Sequence, residues 1–157
     1  MANERFRIIY GNPDDIFWDY EFVDWGEFSS PDARDKFTSV GSCLAVSIYD
    51  NEQKSGILAH LTGMEMFDKY FQAQTLVDVM LHRLRTTQGS YSSKLEASLA
   101  SGVFSEDLRL VDIDSVVRRL QDLGIPIIGQ DIGHGYSRAV LLKRDGNVEV
   151  YKNKFRN

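Results

Sequence analysis

The chain has 157 residues, 43% hydrophobic and 26% charged, with a formal net charge of −5. That length suits one domain with a substantial core, and the composition is that of a folded soluble chain rather than a disordered one. The negative balance and the absence of any Lys/Arg run argue against nucleic acid as a partner.

No apolar run approaches the roughly 20 residues of a membrane helix, so no membrane insertion is expected. The N-terminal MANERFRIIYG lacks the basic region and apolar core of a signal peptide. The single cysteine excludes an internal disulfide, and a reducing, cytoplasmic setting is the simplest reading. With one Cys and three scattered His, no metal site is expected, and nothing calls for a cofactor.

In chain order, residues 5–10 read as a short strand. Residues 17–23, FWDYEFV, alternate aromatic and acidic side chains, the period of a half-buried strand. Residues 29–36, SSPDARDK, read as a polar loop. From Ser42 to Tyr49 the chain alternates again and is rich in small and β-branched residues. NEQKS reads as a turn and GILAHL as the returning strand, which together make a hairpin. Residues 67–85 carry a broad apolar stripe at helical spacing, and SKLEASLASG returns to a strand. Asp112 or Asp114 can cap a second helix over 113–123, ending at Gly124 before Pro126. Three further strands follow, IPIIGQ, SRAVLLK and NVEVYKN, the last two joined by Asp145-Gly146-Asn147, a strong hairpin signal. Two helices against several mostly antiparallel strands make an α+β domain spanning residues 1–157.

Chemistry concentrates in the first hairpin. Cys43 follows Gly41-Ser42, and His60 lies seventeen residues later. An ordinary thiol titrates near about 8.5, so it needs a neighbouring imidazole to become a nucleophile at neutral pH. A Cys–His pair then suits acyl transfer at an amide or ester carbon. The developing oxyanion needs donors, and backbone N–H groups of a tight turn with small residues such as Gly41 and Ser42 can supply them. Loop length decides whether the pair can meet. A two-residue turn would set His60 opposite Cys43, and a four-residue loop at 51–54 would set it opposite Ala45, both on the Cys43 face. Loops of three or five residues would separate the faces. Spacing alone also leaves Cys43 open as a small buried hydrophobe. His82 reads as a solvated helix residue and His134 as a turn residue.

The wider pattern resembles the CheD family of chemoreceptor glutamine deamidases. T-S-V-G-S-C-L-A-V-S-I-Y-D followed by S-G-I-L-A-H is similar to that family's T-x-x-G-S-C-V-A-x-x-x-x-D and G-x-x-A-H. L-E-A-S-L-A-S-G-V and L-G-I-P-I-I-G-Q-D-I-G-H-G-Y-S-R-A-V resemble its later motifs, so the resemblance covers about residues 37–150. Residues 1–36 align with nothing in it. The family pattern departs at Ser98, Ser101 and His134 and across residues 108–112, while the Cys–His pair is intact. The resemblance implies a mostly antiparallel sheet or sandwich with two helices on one face. It implies a cysteine hydrolase that converts glutamine side chains of a protein substrate, a chemoreceptor or another protein, to glutamate plus ammonia. Cys43 would be the nucleophile, His60 the base, Thr38 the residue orienting the imidazole, and Gly41 and Ser42 substrate-side backbone. The alternatives are a binding module that regulates a CheC-type phosphatase partner with little or no catalysis, and a hydrolase of small amides or esters.

Overall fold

The computed structural model describes residues 4–13, 20–62, 73–88, 94–102 and 113–154. Nine strands and two helices are found among them. The strands β1 (Phe6–Tyr10), β2 (Tyr20–Phe22), β3 (Asp35–Val40), β8 (Tyr136–Leu142) and β9 (Val148–Lys154) form one sheet in the order β1-β9-β8-β3-β2. The second sheet has β4 (Leu44–Asp50), β5 (Ser55–Leu61), β6 (Leu95–Ser101) and β7 (Ile127–Ile132) in the order β5-β4-β6-β7. Helices α1 (Ala73–Gln88) and α2 (Ile113–Asp122) complete the domain.

Two apolar clusters define three layers. One, including Val40, Ala45, Leu58, Ala100, Val140 and Val150, lies between the sheets. The other packs Val46, Ile48, Ile57 and Leu99 against Leu76, Met80, Leu84, Val116 and Leu120 of the helices. Both helices therefore cover one face of the β4–β7 sheet, and that sheet is the middle layer. This explains why β4 and β5 are buried at every position: alternation of polar and apolar residues is needed only where one face meets water. At about 1.5–3 kcal/mol for each large aliphatic side chain removed from water, these two layers dominate the stability.

The α+β expectation holds, with four antiparallel and three parallel strand pairings among the described residues. The Ser42–Tyr49 strand begins two residues later, at Leu44, leaving Gly41, Ser42 and Cys43 in a bend. The polar loop gives way at Asp35 to β3, a strand the sequence reading passed over. Its core-facing residues are Lys36, Thr38 and Val40, an inward row with two polar members that hides the usual apolar alternation. The strand expected at 5–10 is β1, and that expected at 17–23 holds at Tyr20–Phe22; residues 14–19 lie outside the described residues, as do 63–72 and Asp112. The second helix closes as expected at Gly124. The Gly124 N–H donates to Gln121 O and the Ile125 N–H to Leu120 O, while Leu120 and Ile125 both enter the core.

Candidate active site

The hairpin loop fixes the geometry. Asp50 pairs with Ser55, so residues 51–54 form a four-residue loop. Asp50 holds it closed: its Oδ1 accepts the N–H groups of Glu52 (2.9 Å) and Gln53 (3.0 Å), and its carbonyl accepts that of Lys54. Lys54 adopts the left-handed conformation (φ 57°) that lets the chain turn back. In the resulting register His60 lies opposite Ala45. His60, Ala45 and Leu58 thus share the face that looks toward the other sheet.

Cys43 precedes β4 by one residue and packs, half-buried, against that same inter-sheet cluster. The diagonal relation across an antiparallel pair, two residues from the direct partner, corresponds to roughly 7–8 Å between backbones, which long side chains can bridge. His60 itself is only 1% exposed. Cys43 thus keeps partial exposure to solvent, whereas His60 is buried on the same face of the hairpin.

Thr38 comes to this place from the opposite sheet. It is fully buried on β3, and its Oγ1 lies 2.7 Å from His60 Nδ1 and 2.7 Å from the Val23 carbonyl. A hydroxyl has one proton to give. The Val23 carbonyl can only accept, so the Thr38 proton goes there, and Thr38 Oγ1 must accept from an Nδ1–H. That assignment leaves the neutral imidazole with its lone pair on Nε2, the form able to receive a proton. Leaving such a buried hydroxyl or ring nitrogen unsatisfied would cost about 1–3 kcal/mol, enough to hold the arrangement.

The segment from Val23 to Asp32 does more than supply one carbonyl. The Gly26 N–H donates to His60 O (2.8 Å) and the His60 N–H to Glu27 O (3.0 Å). The Ser29 N–H donates to Leu58 O, the Leu58 N–H to Ser29 Oγ, and the Gly56 N–H to Asp32 O. The outer edge of β5 is thereby paired along its length, and His60 is clasped on both sides. No sequence signal marked this role, because backbone groups do the bonding in all but the Ser29 hydroxyl contact.

Gly41 and Ser42 occupy the bend beside Cys43. The Gly102 N–H donates to Gly41 O at 2.8 Å, and a Cβ at Gly102 would stand 2.1 Å from Tyr136 O and 2.8 Å from Gly41 O, so only glycine fits there. Behind it, the buried Arg138 gives its Nε to Asp131 Oδ2 (2.7 Å), and Lys152 reaches Asp131 Oδ1 (3.1 Å). Asp131 and Arg138 belong to the stretch L-G-I-P-I-I-G-Q-D-I-G-H-G-Y-S-R-A-V, whose spacing was visible without its role.

His82 and His134 are exposed, as their positions suggested. The positive φ of the turn falls on Gly135 (87°) and not on His134, so histidine in place of glycine at 134 demands no left-handed backbone. Among the described residues, no cluster of three or more His, Cys, Asp or Glu could hold a metal ion, and no helix is long and apolar enough to cross a membrane.

No protein-family model matches the chain. Among curated proteins it is similar to the probable chemoreceptor glutamine deamidase CheD of Methanococcus vannielii, with 33% identity over 144 residues, 82% of this chain and 90% of the relative. The corresponding protein of Clostridium novyi is 32% identical over 126 residues, 71% of this chain and 78% of its own. The chemoreceptor glutamine deamidase CheD of Thermotoga maritima is 28% identical over 122 residues, 72% of this chain and 74% of its own. Identity at this level across most of both chains establishes that this protein belongs to the CheD family.

Proposed function

We propose that this protein hydrolyses the side-chain amides of glutamine residues on a chemoreceptor, with Cys43 as nucleophile, His60 as general base and then acid, and Thr38 as the residue that orients His60. The single observation that carries the reading is the Val23–Thr38–His60 chain of contacts, which leaves the imidazole lone pair on Nε2.

In the first step Nε2 takes the Sγ proton, and the sulfur attacks the glutamine Cδ. The carbonyl becomes an oxyanion, received by the Cys43 N–H and the neighbouring N–H of Ser42. Collapse of this tetrahedral intermediate breaks the C–N bond, and the imidazolium returns the proton to the leaving nitrogen, which departs as ammonia. Water then attacks the thioester with Nε2 as base, and glutamate and the thiol are regenerated. No other group is consumed. A reduced nucleophilic thiol operates in a reducing compartment, which on this reading is the cytoplasm.

The half-buried Cys43 beside Gly41-Ser42 suits a glutamine presented on a protruding part of another protein. The test is mass spectrometry of a purified chemoreceptor cytoplasmic domain after incubation. Wild-type protein should raise the mass of glutamine-bearing peptides by about one dalton per site, the change of amide to acid, and Cys43→Ala should not. An unchanged receptor, together with tight binding of a CheC-type phosphatase, would instead favour the regulatory-module reading.

A further inference from the structure

We propose that Arg138 is a positioning residue for the nucleophile bend: through its clamp on two carbonyls it fixes the Gly41–Ser42 peptide whose N–H faces the developing oxyanion. The inference rests on the deamidase reading and concerns how the same site is aligned.

Arg138 is 2% exposed although it carries a full charge. Its partner is Asp131 on the other sheet, to which it donates from Nε. This leaves Nη1 to donate to Tyr136 O (3.0 Å) and Gly133 O (3.2 Å). A guanidinium is planar and forked, so one anchored edge dictates where the other donors lie. The two carbonyls it holds belong to the 133–136 turn. That turn is pressed against Gly102, whose absent Cβ would lie 2.1 Å from Tyr136 O and 3.0 Å from Arg138 Nη1. The Gly133 N–H also donates to Ser101 O, joining the turn to the end of β6.

Gly102 transmits this placement. Its N–H holds Gly41 O at 2.8 Å. The peptide bond is trans and planar, so the Ser42 N–H is antiparallel to the Gly41 carbonyl. A carbonyl held toward Gly102 sets the Ser42 N–H in the opposite direction, away from Gly102. Arg138 also pairs in register with Val40, the last residue before the bend. The same residue thus braces the bend from the strand and from beneath. A charge need not be buried merely to join two sheets, since apolar residues would do so without the desolvation cost. A rigid fork placed behind an oxyanion site is accounted for by the alignment it enforces.

The chemistry separates this role from the Thr38–His60 role. Activation of the thiol depends on the imidazole, while oxyanion stabilisation depends on the bend. Arg138→Lys keeps a cation for Asp131 but cannot reproduce the fork. The test compares three readouts for this variant and wild type: ammonia release from a purified chemoreceptor cytoplasmic domain, the rate of iodoacetamide alkylation of Cys43 against pH, and thermal melting. The expected result is a kcat lower by about tenfold or more, an alkylation profile superimposed on that of wild type, and a cooperative melt. Should Arg138→Lys fail to fold, Asp131→Asn loosens the same clamp while leaving the guanidinium in place, and the same readouts apply. Unchanged kcat, or a joint fall of kcat and alkylation, overturns the assignment while the deamidase reading stands. A wild-type protein that alkylates yet releases no ammonia overturns both.

Discussion

His60 is held on one side by β4 and on the other by the segment Val23–Asp32, and the two sides are built in opposite ways. On the β4 side everything follows from local sequence. An Asp-closed four-residue loop fixes the register, and the register puts His60 on the inner face. On the other side, an irregular stretch with no recognisable pattern supplies backbone groups that bond both the N–H and C=O of His60, and a carbonyl that takes the Thr38 proton. The motif places the imidazole. The unpatterned segment determines which of its nitrogens can act.

The largest effect that can divide these two sides comes from Thr38. Thr38→Val removes the hydroxyl that links Val23 to His60 while keeping the shape, and should lower kcat by about 10- to 100-fold. It should also cost roughly 1–3 kcal/mol in urea melts, since two buried polar groups lose a partner. Thr38→Ser should recover most of both, and equal activity in all three proteins would remove Thr38 from the site.

On the hairpin side, Asp50→Ala strips two N–H groups of their acceptor and should destabilise the domain by about 1–2 kcal/mol. Because the loop sets the register, turnover should fall with it. Hydrogen exchange of the β4–β5 amides locates the change, and exchange slowed or unaffected there would show that the loop closes without Asp50. On the opposite side Ser29→Ala removes the Leu58 N–H acceptor and should cost about 1 kcal/mol. Faster exchange should be confined to β5, where the clasp lies, and loss confined to β4 would contradict the description.

The smallest effect is one of pH. Burial alone would raise the Asp32 carboxyl, but Lys36 and the Arg34 N–H outweigh it and hold the group below its ordinary value near 3.8. Burial of the Lys36 ammonium, 0% exposed in its side chain, lowers that group despite Asp32. The two directions agree once it is seen that the lysine loses more to burial than it gains from pairing. A carboxyl depressed in the folded state contributes stability that is fully present above its unfolded value and is lost as pH falls through its folded one. Urea midpoints should therefore drop more steeply below about pH 4 in wild type than in Asp32→Asn. Identical slopes would show that Asp32 is not held down.

The same contrast explains what the sequence made legible. The hairpin, the closing glycine of α2 and the Asp145-Gly146 turn were readable because each rests on residues with strong local preferences. β3 was not, because its inward row is Lys36, Thr38 and Val40, polar in two of three places: the Lys36 ammonium is satisfied by Asp32 and Arg34 just before the strand, and Thr38 by Val23 and His60 elsewhere in the fold. The Thr38–His60 contact joins two sheets, and only a family resemblance, not spacing, pointed to it. The Val23 carbonyl left no trace at all, since any residue could offer one. Asp131 and Arg138 were visible as a motif, but the glycine wedge that couples them to Gly41 exists only in three dimensions.

The central claim is about a single proton on a single ring, and it can be observed without substrate. Two-bond nitrogen–proton NMR of the His60 imidazole distinguishes the two neutral tautomers. The arrangement of Val23, Thr38 and His60 predicts that the neutral form of the ring is protonated at Nδ1, with the lone pair on Nε2, and that Thr38→Val loses this preference. A wild-type ring protonated at Nε2 would contradict it.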